Sequence, residues 1–321
     1  MQLSQNALAT VLLVAHIDMG EAKPFKVNEF RKLLELFPEP GKLLGKTHSE
    51  LQANGLSEIQ ADRVVSCLDR AAGIAFALER FHEMGVEPIT RFDEQYPTNF
   101  IKKLGTSAPS LIFTSGSTQL LNRSGIGIVG SRNVSEEGHK ITQNFAKEAV
   151  NLNIPVISGG ARGVDQAAMR SAEEHGGFVI AALANSLVKS IQSAEVRKLI
   201  FDERAVFLTP YNPEAGFTVG NAMGRNKLIY ALAETTVVVS SDKGSGGTWT
   251  GAVEALEKNF GHVSVWSGKG EGPGNKDLIG KGARELSSVS QLKDAVESSG
   301  EAGIKRETFE QANIFANPTT D

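Results

Sequence analysis

The stretch Gly125-Ile126-Gly127-Ile128-Val129-Gly130-Ser131-Arg132, continuing to Gly138, decides the fold. Its first six residues satisfy G-x-G-x-x-G, the fingerprint by which dinucleotide enzymes seat a pyrophosphate. That fingerprint needs its glycines after the strand, in the turn that opens the helix. Here Ile126, Ile128 and Val129 are the strand itself, and only Gly130 stands at its carboxyl end. The next helix is expected no earlier than about Ser135, a hydroxyl N-cap followed by two glutamates. The second strand ends Ser158-Gly159-Gly160, with no acid to hold a ribose. The dinucleotide reading fails on register and on its partner residue. An apolar strand running into a helix remains.

That unit repeats downstream. Apolar, β-rich runs fall at 126–129, 155–158, 178–182, 205–208, 236–240 and 262–266. Helical segments are expected at 136–151, 165–175, 221–233 and 250–259. Continuous apolar strands alternating with helices predict a parallel sheet covered on both faces. The fold class is therefore α/β: a Rossmann-like, doubly wound, mainly parallel sheet over 125–286. Residues 1–85 read as a small N-terminal all-helical domain, with apolar residues at helical spacing in Leu8, Val11, Leu12, then Phe30, Leu33, Leu34, then Val64, Val65, Leu68. The turn at Gly55 with Ser57 as N-cap could form a helix-hairpin-helix or SAM-like unit, but such turns are common and a plain packing or dimerisation domain is the favoured reading. Residues 86–124 form a connector with strands at 86–90 and 110–116. A last helix at 287–299 and a polar, mobile tail at 300–321 complete the expectation.

Composition narrows the function classes. The chain of 321 residues is 40% hydrophobic and 22% charged, as in globular proteins with ample core. Its net charge is -4, and residues 125–286 carry 17 Lys/Arg against 17 Asp/Glu, so nucleic acid can be held only by a local patch. A lone cysteine, Cys67, excludes a disulfide framework or a multi-cysteine zinc site within the chain and reads as a small hydrophobe on a helix. No H-x-x-x-H pair is present, and His48-Ser49-Glu50 lacks the paired cysteines of a zinc deaminase, so no metal and no cofactor are expected. The apolar run Ala7–Ala15 is too short for a membrane span, and a cytoplasmic location is expected.

Four loops fall on the edge where open α/β sheets bind ligands. The first is Gly130-Ser131-Arg132. The second, Ser158-Gly159-Gly160-Ala161-Arg162-Gly163, presents backbone amides ahead of a helix that Asp165 is expected to cap. The third places Arg225, Asn226 and Lys227 at a helix start, and the fourth is the glycine-rich segment Ser241–Thr250, with Ser245, Gly246 and Gly247. Glycines admit a ligand to the backbone and arginine offers a fork for phosphate, so the four together read as a phosphate-binding groove. Phe217, Tyr211 and Trp249 are candidate stacking platforms, Trp249 being expected to face the sheet.

These segments, in this order, resemble the DprA/Smf family of DNA-processing proteins. Thr90–Pro97, Pro109–Gly116, Gly274-Asn275 and Leu278–Ala283 are similar to that family's flanking segments. The resemblance implies a single-stranded DNA-binding protein that works as a homodimer. It also implies delivery of DNA to a RecA-type recombinase in natural transformation or recombination, with no catalytic reaction. It assigns Arg132 and the Gly159–Gly163 loop to DNA phosphate and puts Arg197 and Lys198 where a DNA-contacting lysine is expected. The chain departs from the family at Val188–Gln192, where Asp and Tyr-Pro are usual, at Thr209-Pro210-Tyr211, where an acid is usual, and at Lys227, where an arginine is usual. Only 287–321 follow the sheet domain, so the winged helix of many members is not expected. Two other readings use the same cradle. One is a nucleotide sensor. The other is a LOG-type nucleotide phosphoribohydrolase, whose Gly-Gly-x-Gly-Thr-x-x-Glu motif resembles Gly246–Glu254; there Trp249 replaces a glycine, and Glu254 falls one residue late unless the loop is bulged.

Overall fold

The computed structural model describes residues 3–18 and 20–298. Its strands are β1 (Glu87–Thr90), β2 (Leu111–Gly116), β3 (Gly125–Gly130), β4 (Val156–Ser158), β5 (Val179–Ala182), β6 (Ala205–Thr209), β7 (Ala233–Ser240), β8 (His262–Trp266) and β9 (Arg284–Leu286). Residue 299 and the tail Gly300–Asp321, for which a helix end and a mobile segment are expected, lie outside the described residues.

By internal contacts the chain forms two compact units. One holds the residues up to Arg123 together with Phe178–Leu232; the other holds Ser124–Gly177 together with the chain from Ala233. The sequence pattern places one boundary near 124/125 and keeps 178–232 with the rest of the sheet domain. The reason for the difference is strand pairing. The connector strand β2 runs antiparallel between β1 and β6, with Phe113 opposite Thr209, and β6 pairs in parallel with β5. The connector is thus part of a sheet that gathers the 178–232 segment to it.

In this first unit the N-terminal residues fold as helices at Gln5–Val14, Val27–Leu36, His48–Ala53, Glu58–Leu68 and Ala71–Glu83. Capping boxes at Thr47 and Ser57 satisfy the first-turn amides of two of them, and Ser57 is the N-cap the sequence predicts. Phe30, Leu33, Leu43, Leu51, Val64 and Cys67 pack into one buried cluster, which is why Cys67 behaves as a hydrophobe and why burial pushes its thiol up. Buried Arg70 donates to the carbonyls of Leu12, Ala15 (3.1 Å) and Ile17 (3.1 Å), closing the carboxyl end of the first helix. Glu29 accepts from Arg63 at 2.8 Å and from the Lys26 amide at 2.8 Å, and these two contacts hold its carboxyl down at about 2.

The second unit holds a parallel sheet in the order β4-β3-β7-β8-β9. Successive strand residues face opposite sides, and Gly125–Val129 are all buried, so both faces of β3 are covered. This is the α/β Rossmann-like architecture the alternation predicts. Gly125 and Gly127 are packing residues: a Cβ on them would lie 2.4 Å from Ile157 Cδ1 and 2.5 Å from Thr236 Oγ1 respectively. Helix Glu136–Asn151 begins at its Ser135 cap, whose hydroxyl accepts from Gly138 N, as the sequence predicts. β9 was not anticipated; its Arg284 and Glu285 are exposed and only Leu286 is buried, so no apolar run marks it.

Candidate nucleic-acid interface

In the second unit three predicted loops leave the carboxyl ends of adjacent parallel strands. Gly130 opens the loop after β3, Ser158 the loop after β4, and Ser240 the loop after β7. The first two are built against each other. Gly163 adopts φ +87°, and a Cβ there would fall 2.4 Å from Ser131 O and 2.8 Å from Arg132 Cα. Only glycine has both the conformation and the room. The Val164 amide then donates to Ser131 O (3.3 Å), and the Ser131 amide to Ser240 O (2.8 Å) on β7. Ser131 Oγ accepts from the Asn133 amide (3.1 Å), which folds the chain so that Asn133 Oδ1 receives Arg162 Nη2 at 2.9 Å. Arg132 and Arg162 both stand exposed at this edge.

Asp165 is not the cap expected of it: Gly163 holds the N-cap position, and Asp165 lies buried in the first turn of the helix Val164–Glu174, where it accepts from Ala161 N (3.4 Å) and ties the glycine loop to that helix. Ser158 is fully buried and its hydroxyl donates to Ile128 O (2.7 Å), so this position shapes the loop's origin instead of offering a hydroxyl to solvent.

The fourth segment differs from expectation. Helix Gly246–Lys258 starts four residues before the expected 250, so Gly246 and Gly247 form its first turn. Gly246 takes φ +84°. Ser245 makes no side-chain cap and the first turn carries no acid, in contrast to Glu136–Asn151, whose first turn holds two glutamates, and to Val164–Glu174, whose first turn holds Asp165. The anion that such a helix end favours is supplied by the chain itself: the Asp242 carboxylate stands beside it, 3.4 Å from where a Cβ on Gly246 would lie. Because the helix is regular, Glu254 lies on it without a bulge and pairs with Lys258 at 2.7 Å. Trp249 is half-buried at its first turns.

One organising residue was missed. Asn275 is fully buried; its Oδ1 accepts from Ser241 N (2.9 Å), and its Nδ2 donates to Val239 O (2.9 Å) and Trp266 O (2.8 Å). It latches the ends of β7 and β8. Gly272 and Gly274 lie so close to Ser241 and Asp242 that a Cβ on either would come within 2.3 Å of backbone. The signal for it in the sequence is the Gly-Pro-Gly-Asn run at 272–275, two glycines that allow close backbone approach before a short amide side chain.

The remaining predicted residues lie in the first unit. Arg197 and Lys198 are exposed on the helix Ala194–Phe201, which the sequence reading left unassigned. Arg225 is 4% exposed and its guanidinium donates to Ala182 O, so it braces β5 from inside. Its burial was readable: Arg225, Leu228, Ile229 and Leu232 share one face of Val219–Leu232 at i, i+3, i+4, i+7. Asn226 is half-buried, and Lys227 Nζ donates to Ser107 O at 2.7 Å. Phe217 is 49% exposed, while Tyr211 is half-buried with its hydroxyl donating to Asn221 O (2.9 Å).

The second unit is thus a Rossmann-like α/β sheet whose strand ends carry two exposed arginines over glycine loops. The chain belongs to the DNA recombination-mediator protein A family, whose sequence model matches residues 87–297. It is similar to the DNA processing protein DprA of Bacillus subtilis, 28% identical over 184 residues, 56% of this chain and 61% of that protein. It is also similar to Protein Smf of Escherichia coli, 26% identical over 202 residues, 62% of this chain and 53% of that protein. The chain thus spans about half to three fifths of the length of these curated relatives. Among solved structures, DprA of Streptococcus pneumoniae shares the fold with a TM-score of 0.64 at 20% identity, over 84% of this chain and 98% of that one. DNA processing protein A of Helicobacter pylori, described for its single-stranded DNA binding mode, shares it with a TM-score of 0.54 at 21% identity, over 66% of this chain and 96% of that one. Among the described residues no helix is long and apolar enough to cross a membrane.

Proposed function

We propose that this protein binds single-stranded DNA without sequence preference, holding backbone phosphates at the strand-end loops of the second unit. Arg132 and Arg162 supply the charge, and the amides of the Gly159–Gly163 loop line the approach. One observation carries the reading: Gly163 brings the two arginine loops into backbone contact, and Asn133 bridges them to Arg162. Arg197 and Lys198, exposed on the first unit, are further candidate phosphate-binding cations on that unit. No covalent step on DNA is assigned, since the helix that carries Glu254 is unbulged and that carboxylate is engaged by Lys258. Dimerisation and delivery of the strand to a RecA-type recombinase complete the proposal, on the strength of the family.

The test is an anisotropy titration of labelled oligo-dT against the wild type and Arg132→Ala at several salt concentrations. Charged hydrogen bonds are worth about 1.5–3 kcal/mol, so the variant is expected to lose about tenfold or more in affinity, whatever the sequence. Its log-log salt slope should shrink by about 0.7, the value for one phosphate contact on a single strand. Equal affinities and equal slopes for the two proteins would overturn the assignment.

A further inference from the structure

The first unit contains a cavity of about 490 Å³ that the DNA-binding reading does not use. It lies between the N-terminal helices and the sheet strands of that same unit. Its walls are mainly apolar, with the rings of Phe25, Phe113 and Tyr211 among them. The ionisable side chains that line it besides Tyr211 are His16, Lys26 and Lys227; among the lining residues there is no carboxylate. That imbalance stands out in a chain whose acids outnumber its bases, 37 to 33. The first-turn acid of the adjoining helix, Glu29, is engaged by Arg63 and by the Lys26 backbone amide, 2.8 Å from each. The local field is positive: burial and then the charges of Arg70, Arg63 and Lys26 push His16 below its ordinary value, leaving it a neutral hydrogen-bonding group near pH 7.

Two of the polar fittings, Lys227 and Tyr211, are held in place by hydrogen bonds, whereas His16 and Lys26 stand exposed at the rim. Lys227 Nζ is oriented by Ser107 O at 2.7 Å. Tyr211 is oriented by Asn221 O, and Gly224 leaves its ring in place, because a Cβ there would come 2.6 Å from the phenol oxygen. A mainly apolar concavity of this size with a few convergent polar groups is the usual form of a small-molecule site, for which volumes of about 300–1,000 Å³ are typical. Aromatic walls select a flat apolar body, and cations without a competing carboxylate select an anionic group.

We infer that this cavity is a second ligand site, separate from the strand-end loops, that binds a small organic anion made of a flat ring system and a phosphate-like group. Such a molecule is either a nucleoside monophosphate or a non-nucleotide aryl anion. The inference does not depend on DNA binding.

Calorimetry on the full chain tests it with 1-naphthyl phosphate, 1-naphthol and AMP as probes. Naphthyl phosphate is expected to bind at one site per chain, with naphthol at least tenfold weaker because the anion is missing. Lys26→Ala should weaken naphthyl phosphate about tenfold through loss of one charge-assisted contact. Ala215→Trp, which fills the cavity from its wall, should abolish binding. AMP binding as tightly as naphthyl phosphate supports the site as one for nucleotides; binding of naphthyl phosphate alone supports it as one for other aryl anions. The inference is overturned if neither anion binds, if naphthol binds as tightly as its phosphate, or if Ala215→Trp keeps wild-type affinity. Thermal melts of both variants accompany the titrations. Should Ala215→Trp not fold, Lys26→Ala decides alone, unchanged affinity then overturning the site. Competition with oligo-dT separates this cavity from the strand-end loops: displacement of naphthyl phosphate by DNA would also overturn it.

Discussion

Gly163 combines a left-handed backbone with the closest approach between the two arginine loops. A methyl group at this position would have to occupy space already taken by Ser131 O and Arg132 Cα, both backbone atoms that cannot rotate away. Its φ of +87° adds the cost of a conformation L residues rarely adopt. Gly163→Ala is therefore expected to destabilise the protein by about 1–3 kcal/mol, the range for a strained backbone residue. It should also displace Arg132, so DNA affinity falls even under conditions where the variant is fully folded. Urea unfolding and oligo-dT anisotropy on the same preparation check both effects. Normal stability with normal affinity would show that the two loops are not packed as described. Gly130, which packs against Val164 at the other side of this contact, gives the same loop its close approach.

At the scale of elements, the strand ends are held together by side chains as well as by the backbone ladder. Asn275 satisfies three backbone groups from two strands and a loop while fully buried. Removing it strands those groups, and each buried unsatisfied group costs about 1–3 kcal/mol before relaxation or water entry reduces the sum. Asn275→Ala is expected to lower stability by about 2 kcal/mol or more, read as a shift in the urea midpoint at unchanged slope. A midpoint within experimental error of wild type would remove the latch from the account. Asn275 also illustrates what the sequence could and could not say. Strands β3 to β8 were legible because each is an apolar run buried on both faces, and helix Glu136–Asn151 because Ser135 and two glutamates announce it. The start at Gly246 was not legible, since glycine pairs read as loop although a helix tolerates them in its first turn. Arg225 was placed with the phosphate ligands on chemistry alone, whereas its apolar stripe assigns it to the interior. The grouping of 178–232 with the N-terminal residues depends on β2 pairing with β6, a contact between strands about ninety residues apart that no local pattern encodes.

For the whole molecule, the shifted ionisable groups define a stability profile with pH. The carboxyls of Glu29, Glu214, Glu137 and Glu50 all lie below the ordinary 4.5, chiefly because each accepts hydrogen bonds: from Arg63, from Arg80, at the helix start beside Lys269, and from Thr47 respectively. A carboxyl depressed in the folded state stabilises it fully above the unfolded pKa of 4.5 and loses that contribution as pH falls toward the folded value. For Glu29 that loss extends down to about pH 2. His16 is likewise depressed, by burial first, so the folded state begins to lose its advantage once pH drops through 6.5. On the alkaline side Tyr96 and Tyr211 are raised by burial above 10; unfolding lets them ionise, so their contribution is present below pH 10 and lost above it. The buried Cys67 thiol is raised above 9 in the same way, so its contribution starts to fade above pH 9. Unfolding free energy measured in urea is thus expected to form a plateau between about pH 7 and 9, to decline above 9 and gently below 6.5, and to fall steeply below 4.5. Glu29→Gln should be less stable than wild type at neutral pH and converge on it as pH approaches 2, because protonation has by then removed the same contact from both. Parallel curves for the two proteins across that range would show that the Arg63–Glu29 pair does not set the acid limb.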